Sequence, residues 1–241
     1  MAIQAGEDTF YQAKRGIVQD GLVLNLDAAV NTSYNGGTQW RDLKGANNST
    51  LENGPTFDKS NGGVISFDGA NDFVDFGDFD LTQVSTAITV SLWFKAPSTQ
   101  ANGYPLLFGN GGGWNAGGFL LMKYSGGFRW EIQGTGKKAC DRTQGYFDDA
   151  WQNVVGSWSA GNSMKLYRAG AVVSSTTGIT SISSNSGTGH LRMGGKGSSN
   201  APGISTAYIE ADIGSVQVYS KQLTDAEVLQ NYNATRHRFG V

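Results

Sequence analysis

Apolar and polar positions alternate along most of this chain with a period of two, the spacing that a β-strand imposes because successive side chains point to opposite faces. In Ile88-Thr-Val-Ser-Leu-Trp-Phe-Lys, residues Ile88, Val90, Leu92 and Phe94 fall on one face and Thr89, Ser91, Trp93 and Lys95 on the other. Gly21-Leu-Val-Leu-Asn-Leu-Asp puts Leu22, Leu24 and Leu26 on one face, with Val23 and Asn25 opposite. Residues 119–124 and 128–133 predict a hairpin turning through Ser125-Gly-Gly, and 152–158 pairs with 164–168 around Ser159-Ala-Gly-Asn. Residues 65–76 hold two strand halves around an Asp-Gly turn, and 171–173, 190–194 and 209–219 add further strands. Short strands separated by Gly, Asn and Ser predict an antiparallel sandwich.

The pattern changes once. After the strand at 209–219, Thr224-Asp225-Ala226-Glu227 forms a capping box, in which the threonine hydroxyl caps the helix start and the glutamate reaches back. Leu223, Val228, Leu229 and Tyr232 then make one apolar face of a short helix. The pattern predicts an all-β antiparallel sandwich with one short carboxy-terminal helix.

Composition sets bounds on this picture. The chain has 241 residues, 35 of them glycine, with 39% hydrophobic and only 16% charged residues, a turn-rich globular profile. One domain over 21–241 is expected, preceded by an arm at 1–20 carrying mixed charges and two adjacent aromatics, Phe10 and Tyr11. A formal net charge of −2 offers no basic footprint for nucleic acid, and no apolar run is long enough to span a bilayer. The amino terminus lacks the pattern of a signal peptide, and the single Cys140 excludes an intrachain disulfide; both point to synthesis in a reducing cytoplasm.

Six segments in order carry a resemblance: Gly21-Leu-Val-Leu-Asn-Leu-Asp, Ile65-Ser-Phe-Asp-Gly-Ala-Asn-Asp-Phe-Val, Ile88-Thr-Val-Ser-Leu-Trp-Phe-Lys, Trp151-Gln-Asn-Val-Val, Lys165-Leu-Tyr-Arg-Ala-Gly and the ending from Val216 to Tyr232. Together they resemble a laminin-G-like domain of the concanavalin A-like superfamily over roughly residues 21 to 235. The resemblance implies a concanavalin A-like jelly-roll sandwich of two curved antiparallel sheets, one concave. The ending Leu-Thr-Asp-Ala-Glu-Val-Leu-Gln-Asn-Tyr-Asn-Ala-Thr-Arg is similar to a variant found in virion proteins of tailed bacteriophages.

The candidate chemistry is sparse. Glycosidases of this superfamily place carboxylates at i and i+2 or i+4 on one strand face, and Glu210-Ala-Asp212 resembles the start of that pattern. The second glutamate is missing, so a solvated strand face is expected; Glu131 has no partner at a useful spacing. Calcium binding, which the resemblance implies for many relatives, directs attention to Asp68, Asp72 and Asp75, although the same residues equally suit turn capping. The acidic residue of a related Ile-Asp-x-Val pattern is replaced here by Ile213-Gly-Ser-Val216. The glycine-rich stretches 109–118 and 194–199 fit no phosphate loop, and His190 and His237 fit no metal spacing. Cys140 beside Lys137 and Lys138 has neighbours that lower a thiol pKa, but a lone cysteine is usually inert. Of six tryptophans, most are expected in the core; Trp114, inside a glycine-rich loop, is the candidate to face a ligand.

These readings lead to a non-enzymatic structural protein of a bacteriophage virion, a capsid decoration held to a capsid or other virion protein and to sister subunits by Phe10, Tyr11 and sheet edges. The alternative is a carbohydrate-binding module for host or polysaccharide adhesion, with a glycan near Trp114. A glycoside hydrolase is the third reading, and requires a second carboxylate brought in by folding. No cofactor is called for; a structural calcium is the one candidate, with no ligand assigned to it.

Overall fold

The computed structural model describes residues 16–77, 79, 84–99, 104–110, 118–133, 137–142, 147–182, 191–195 and 208–241. Their strands are β1 (Leu22–Asp27), β2 (Gln39–Trp40), β3 (Ser49–Glu52), β4 (Thr56–Asp58), β5 (Val64–Asp68), β6 (Phe73–Asp75), β7 (Ala87–Lys95) and β8 (Leu106–Gly109). There follow β9 (Gly118–Tyr124), β10 (Gly127–Gln133), β11 (Lys137–Arg142), β12 (Trp151–Ser159), β13 (Ser163–Arg168), β14 (Ala171–Thr177), β15 (Arg192–Met193) and β16 (Glu210–Tyr219), then helix α1 (Asp225–Thr235) and a 3₁₀ turn (Arg236–Phe239). They form two antiparallel sheets, the predicted jelly-roll sandwich. The first runs β14-β13-β12-β7-β16-β5-β4, with β1 also on β16; the second runs β11-β10-β9-β8-β15-β6-β3-β2.

Strand β16 sits in the middle of the first sheet. Along one side it pairs with β7; along the other, Glu210–Ile213 face β5 and residues 215–219 face β1. The register shift that separates these two partners on β16 falls at Gly214. A Cβ there would lie 2.7 Å from the Phe239 ring, so the bulge needs a residue without a side chain. The Asp68-Gly69 turn does not close a hairpin: β5 belongs to the first sheet and β6 to the second, so the turn carries the chain across the sandwich. The predicted hairpin β9–β10 does close, through Ser125 (φ 45) and Gly126 (φ 81), the positive-φ pair of a tight two-residue turn.

The space between the sheets is filled by one apolar core that includes Leu24, Leu26, Phe94, Phe108, Phe119, Trp130, Leu166 and Val216. Trp40, Trp93, Trp130 and Trp158 are buried, as expected of most tryptophans. Trp130 crosses the sandwich and donates from Nε1 to the Ser157 carbonyl at 3.1 Å. Its indole lies where a Cβ on Gly156 would be, at 2.3 Å, so the glycine makes room for the ring.

Strand β7 is buried on both faces rather than one. Its second face is roofed by α1 and the 3₁₀ turn: Trp93 stacks on Phe239 at 4.3 Å and on Tyr232 at 5.7 Å, and its Nε1 donates to Thr235 Oγ1. Helix α1 begins with the predicted capping box, Thr224 with Glu227. Its buried side differs from the prediction. Leu229 is exposed, whereas Asn231 is buried, accepting from the Val18 amide at 2.8 Å and donating to the Tyr219 hydroxyl at 2.9 Å. The roof is thus held by polar anchors as well as by apolar area. Residues 16–20 lie along it: Val18 is buried, Gln230 donates to the Gly16 carbonyl, and Lys221 pairs with Asp20 at 2.7 Å.

Candidate functional site

The outer face of the second sheet is the side of β8–β11 turned away from the core. Period-two alternation places Leu106, Leu120 and Met122 there as a small apolar cluster separate from the main core, with Tyr124, Arg129, Glu131 and Gln133 on the same face. Register then sets their neighbours. Arg129 stands opposite Asp141 across β10–β11, and Glu131 opposite Leu120 across β9–β10.

At one end of this face is an aromatic stack. The Tyr104 ring, 41% exposed, lies nearly parallel to Tyr124 with centroids 5.5 Å apart. The Arg129 guanidinium sits 3.5 Å from the Tyr124 ring centroid, and its Nε and Nη2 each donate to Asp141 at 2.7 Å. Burial pulls the Arg129 pKa down, but the Asp141 carboxylate, with Tyr124 and Glu131, more than offsets it, so the guanidinium stays charged and fixed. The exposed ring is therefore held by a stack that ends in a bidentate ion pair.

The middle of the face is closed. Glu131 has no exposed surface; Gln133 Nε2 donates to its Oε1 at 2.6 Å, and Arg129 Nη1 lies 3.5 Å from its Oε2. These partners are its same-face neighbours two residues either way along β10, and neither is a carboxylate. Glu210 and Asp212 lie on β16, where Asp212 accepts from the Ser66 hydroxyl and faces Lys95, the arrangement of a strand surface. Asp68 and Asp72 hold the crossing turn, Asp72 accepting from the Asp68 amide and Asp68 from that of Ala70. Asp75 pairs with Arg192. Among the described residues no three His, Cys, Asp or Glu side chains group as metal ligands, and no helix is long and apolar enough to cross a membrane. Cys140 is buried and donates to the Met164 carbonyl; burial raises its thiol pKa to about 11, opposite to an activated nucleophile. Trp114, Phe10, Tyr11 and His190 lie outside the described residues.

A second surface feature lies at the far edge of the sandwich. Tyr34, in the β1–β2 connection, and Phe57, on the edge strand β4, form a tilted ring pair 5.2 Å apart. They line an open hollow of about 550 Å³ together with Asn31, Thr32, Asn35 and Gly36. Neither Tyr104–Tyr124 nor Tyr34–Phe57 is adjacent in sequence.

The comparisons with known proteins agree with this architecture. No curated protein matches the chain. Among solved structures, the binding domain of Paraclostridial Mosquitocidal Protein 1 superposes with a TM-score of 0.68 at 16% identity, over 89% of this chain and 52% of that one. Domain 4 of AbnA, a GH43 extracellular arabinanase from Geobacillus stearothermophilus solved with arabinotriose, gives 0.68 at 14% identity over 88% and 98%. The receptor binding domain of botulinum neurotoxin type G gives 0.63 at 12% over 88% and 51%. The chain thus spans about half of the toxin domains it resembles. These likenesses establish a shared fold; the toxin neighbours are binding domains, the AbnA domain was solved with arabinotriose, and Trypanosoma rangeli sialidase also superposes, with a TM-score of 0.61 at 16% identity over 90% of this chain and 33% of that one. The model described as the concanavalin A-like lectin/glucanases superfamily matches residues 68–229, more than half of the sequence, and the chain belongs to that laminin-G-type family.

Proposed function

We propose that this chain is a non-enzymatic carbohydrate-binding, lectin-like module. One observation carries the reading: the exposed Tyr104 ring is pre-stacked on Tyr124, whose own ring is held by the Arg129 guanidinium that Asp141 fixes. Sugar rings present apolar C–H faces that pack on such a platform, while their hydroxyls need a charged or polar rim. Because the ring is already held in place, little side-chain entropy is lost on binding. The neighbour solved with arabinotriose supports a neutral saccharide as the first ligand to test.

The two carboxylates nearest the platform are unsuited to hydrolysis. Both Asp141 oxygens are engaged by Arg129, and Glu131 is sealed from solvent. Most glycosidases need an acid and a second carboxylate open to the scissile bond on both sides. The resemblance to virion proteins rests on the segment 223–236, whose Leu223 and Val228 are buried in roofing the first sheet. A sugar-binding module is compatible with display on a particle, where it would serve adhesion.

The test is affinity electrophoresis and calorimetry with arabinotriose and neutral polysaccharides, comparing the native chain with Tyr104→Ala. Binding is expected to weaken about tenfold in the variant with an unchanged circular dichroism spectrum, the size of one lost ring contact. Equal binding by the variant, or no retardation by any polysaccharide, refutes the reading.

A further inference from the structure

The hollow between Tyr34 and Phe57 combines two features that a sugar site needs. It has an aromatic wall, since Phe57 is 39% exposed and its ring leans on Tyr34. It also has a polar rim without charge: the lining residues Asn31, Thr32, Tyr34, Asn35, Gly36 and Phe57 include no Asp, Glu, Lys, Arg or His. The nearby Arg41 guanidinium donates to Asn35 at 2.8 Å, and a guanidinium has no acceptor. The contacted Asn35 atom is therefore its oxygen, which leaves the amide NH₂ to donate to a ligand.

The loop is also rigid. The Ser33 and Tyr34 amides both donate to the Val30 carbonyl, the Ser33 hydroxyl donates to the Arg41 carbonyl and accepts from the Asp27 amide, and the Tyr34 hydroxyl donates to the Gly37 carbonyl. A wall and rim fixed before the ligand arrives lose little entropy on binding. The volume of about 550 Å³ falls within the range of small-ligand sites.

We propose that this hollow is a second saccharide site, selective for an uncharged sugar residue. The ligand class rests on the carbohydrate-binding reading above, while the site stands on residues that share nothing with the Tyr104 platform. The hollow lies between the β1–β2 connection and β4, the edge strand of the first sheet, whereas the platform is on the outer face of the second sheet, so the two sites are separate. The module is then bivalent, and a long polysaccharide that reaches both sites is held more tightly than a trisaccharide.

The experiment is amide-resolved NMR of the full chain titrated with arabinotriose, cellotriose and xylotriose, and with 3′-sialyllactose as the charged probe. Saturable shifts of the Asn31, Thr32, Asn35 and Gly36 amides with a neutral trisaccharide are expected. They should weaken at least about tenfold in Phe57→Ala and leave the shifts near Tyr124 unchanged. Asn31→Ala provides the same reading should Phe57→Ala disturb β4. Shifts confined to the Tyr104–Tyr124 region overturn the second site and leave the platform standing. Shifts confined to the hollow support the site and overturn the platform. Equal response to sialyllactose overturns the uncharged class, and no shifts with any probe overturn both sites.

Discussion

Replacing Arg238 with alanine tests how the carboxy-terminal roof is locked. Arg238 Nε donates to the Asn61 carbonyl at 2.6 Å and Nη1 to Asp27 Oδ1 at 2.6 Å, while Nη2 reaches the carbonyls of Gly63 and Gly214. One side chain thus ties the last turn to the end of β1, to the segment before β5 and to the bulge of β16. Asn61, held at φ 49, answers by donating to the Arg238 carbonyl and accepting from Trp151 Nε1. A charge-assisted hydrogen bond contributes about 1.5–3 kcal/mol net. The four here share one desolvation, and Asp27 is 25% exposed, which discounts its ion pair for solvent screening. The expected loss for Arg238→Ala is therefore about 3 kcal/mol, well below the sum of its bonds but well above the 0–1 kcal/mol of a surface pair. In urea, with an m-value of about 3 kcal/mol/M, the midpoint falls by about 1 M at constant m. In a thermal melt the midpoint falls by about 6–12 °C. Arg238→Lys keeps the charge without the fork and should recover less than half. A loss below about 1 kcal/mol, or equal stability of the alanine and lysine variants, refutes the lock.

Three further outcomes are expected. Gly156→Ala drives a methyl group into Trp130 and should cost about 1–3 kcal/mol by denaturant titration, a loss partly relieved in the Trp130→Leu background. With its pKa raised to about 11, Cys140 carries roughly one thiolate per thousand molecules at pH 8. Iodoacetamide labelling read by mass spectrometry should therefore be slow in the folded chain and rapid in 6 M guanidinium. Burial raises the Glu227 pKa, but Lys221 and the amide and hydroxyl of Thr224 outweigh it, so the folded value is lowered; Lys165 and Tyr167 lower that of Asp225. A lowered folded pKa contributes stability that is complete above the ordinary carboxylate range of about 4 and is lost as pH falls through the folded value. Stability should decline below about pH 5, with a shallower slope in Glu227→Gln.

What could be read in the sequence was whatever depended on near neighbours. The capping box of Thr224 and Glu227, the β9–β10 hairpin and the alternation of β7 all follow from residues within a few positions of each other. The second face of β7 could not be read this way, because Trp93 is covered by Tyr232 and Phe239, far along the chain. For the same reason Leu229 looked like helix core and Asn231 did not: the partners of Asn231 are the Val18 amide and the Tyr219 hydroxyl. The Asp68-Gly69 turn was legible as a turn but not as a passage between sheets. At the candidate site, Arg129 and Asp141 meet through the β10–β11 register, and β11 was not recognisable as a strand from the run Lys137-Lys-Ala-Cys140. Tyr104 and Tyr124 stand twenty residues apart, and no local pattern marks them as a pair.

The central position of β16 has a consequence for how the chain reaches this structure. Its partners β1, β5 and β7 all precede it along the chain, and β8–β15 are made between β7 and the strand that joins them. Until residues 210–219 are available, β1, β5 and β7 present open edges with unpaired amides and carbonyls, and the first sheet exists as three pieces: β14-β13-β12-β7, β5-β4 and β1 alone. Long-range pairing of this kind folds slowly, over milliseconds to seconds, and leaves the intermediate open to mispairing with other chains. The first sheet therefore closes only once β16 is made, and a truncation before β16 should yield an aggregating product rather than a smaller stable sandwich.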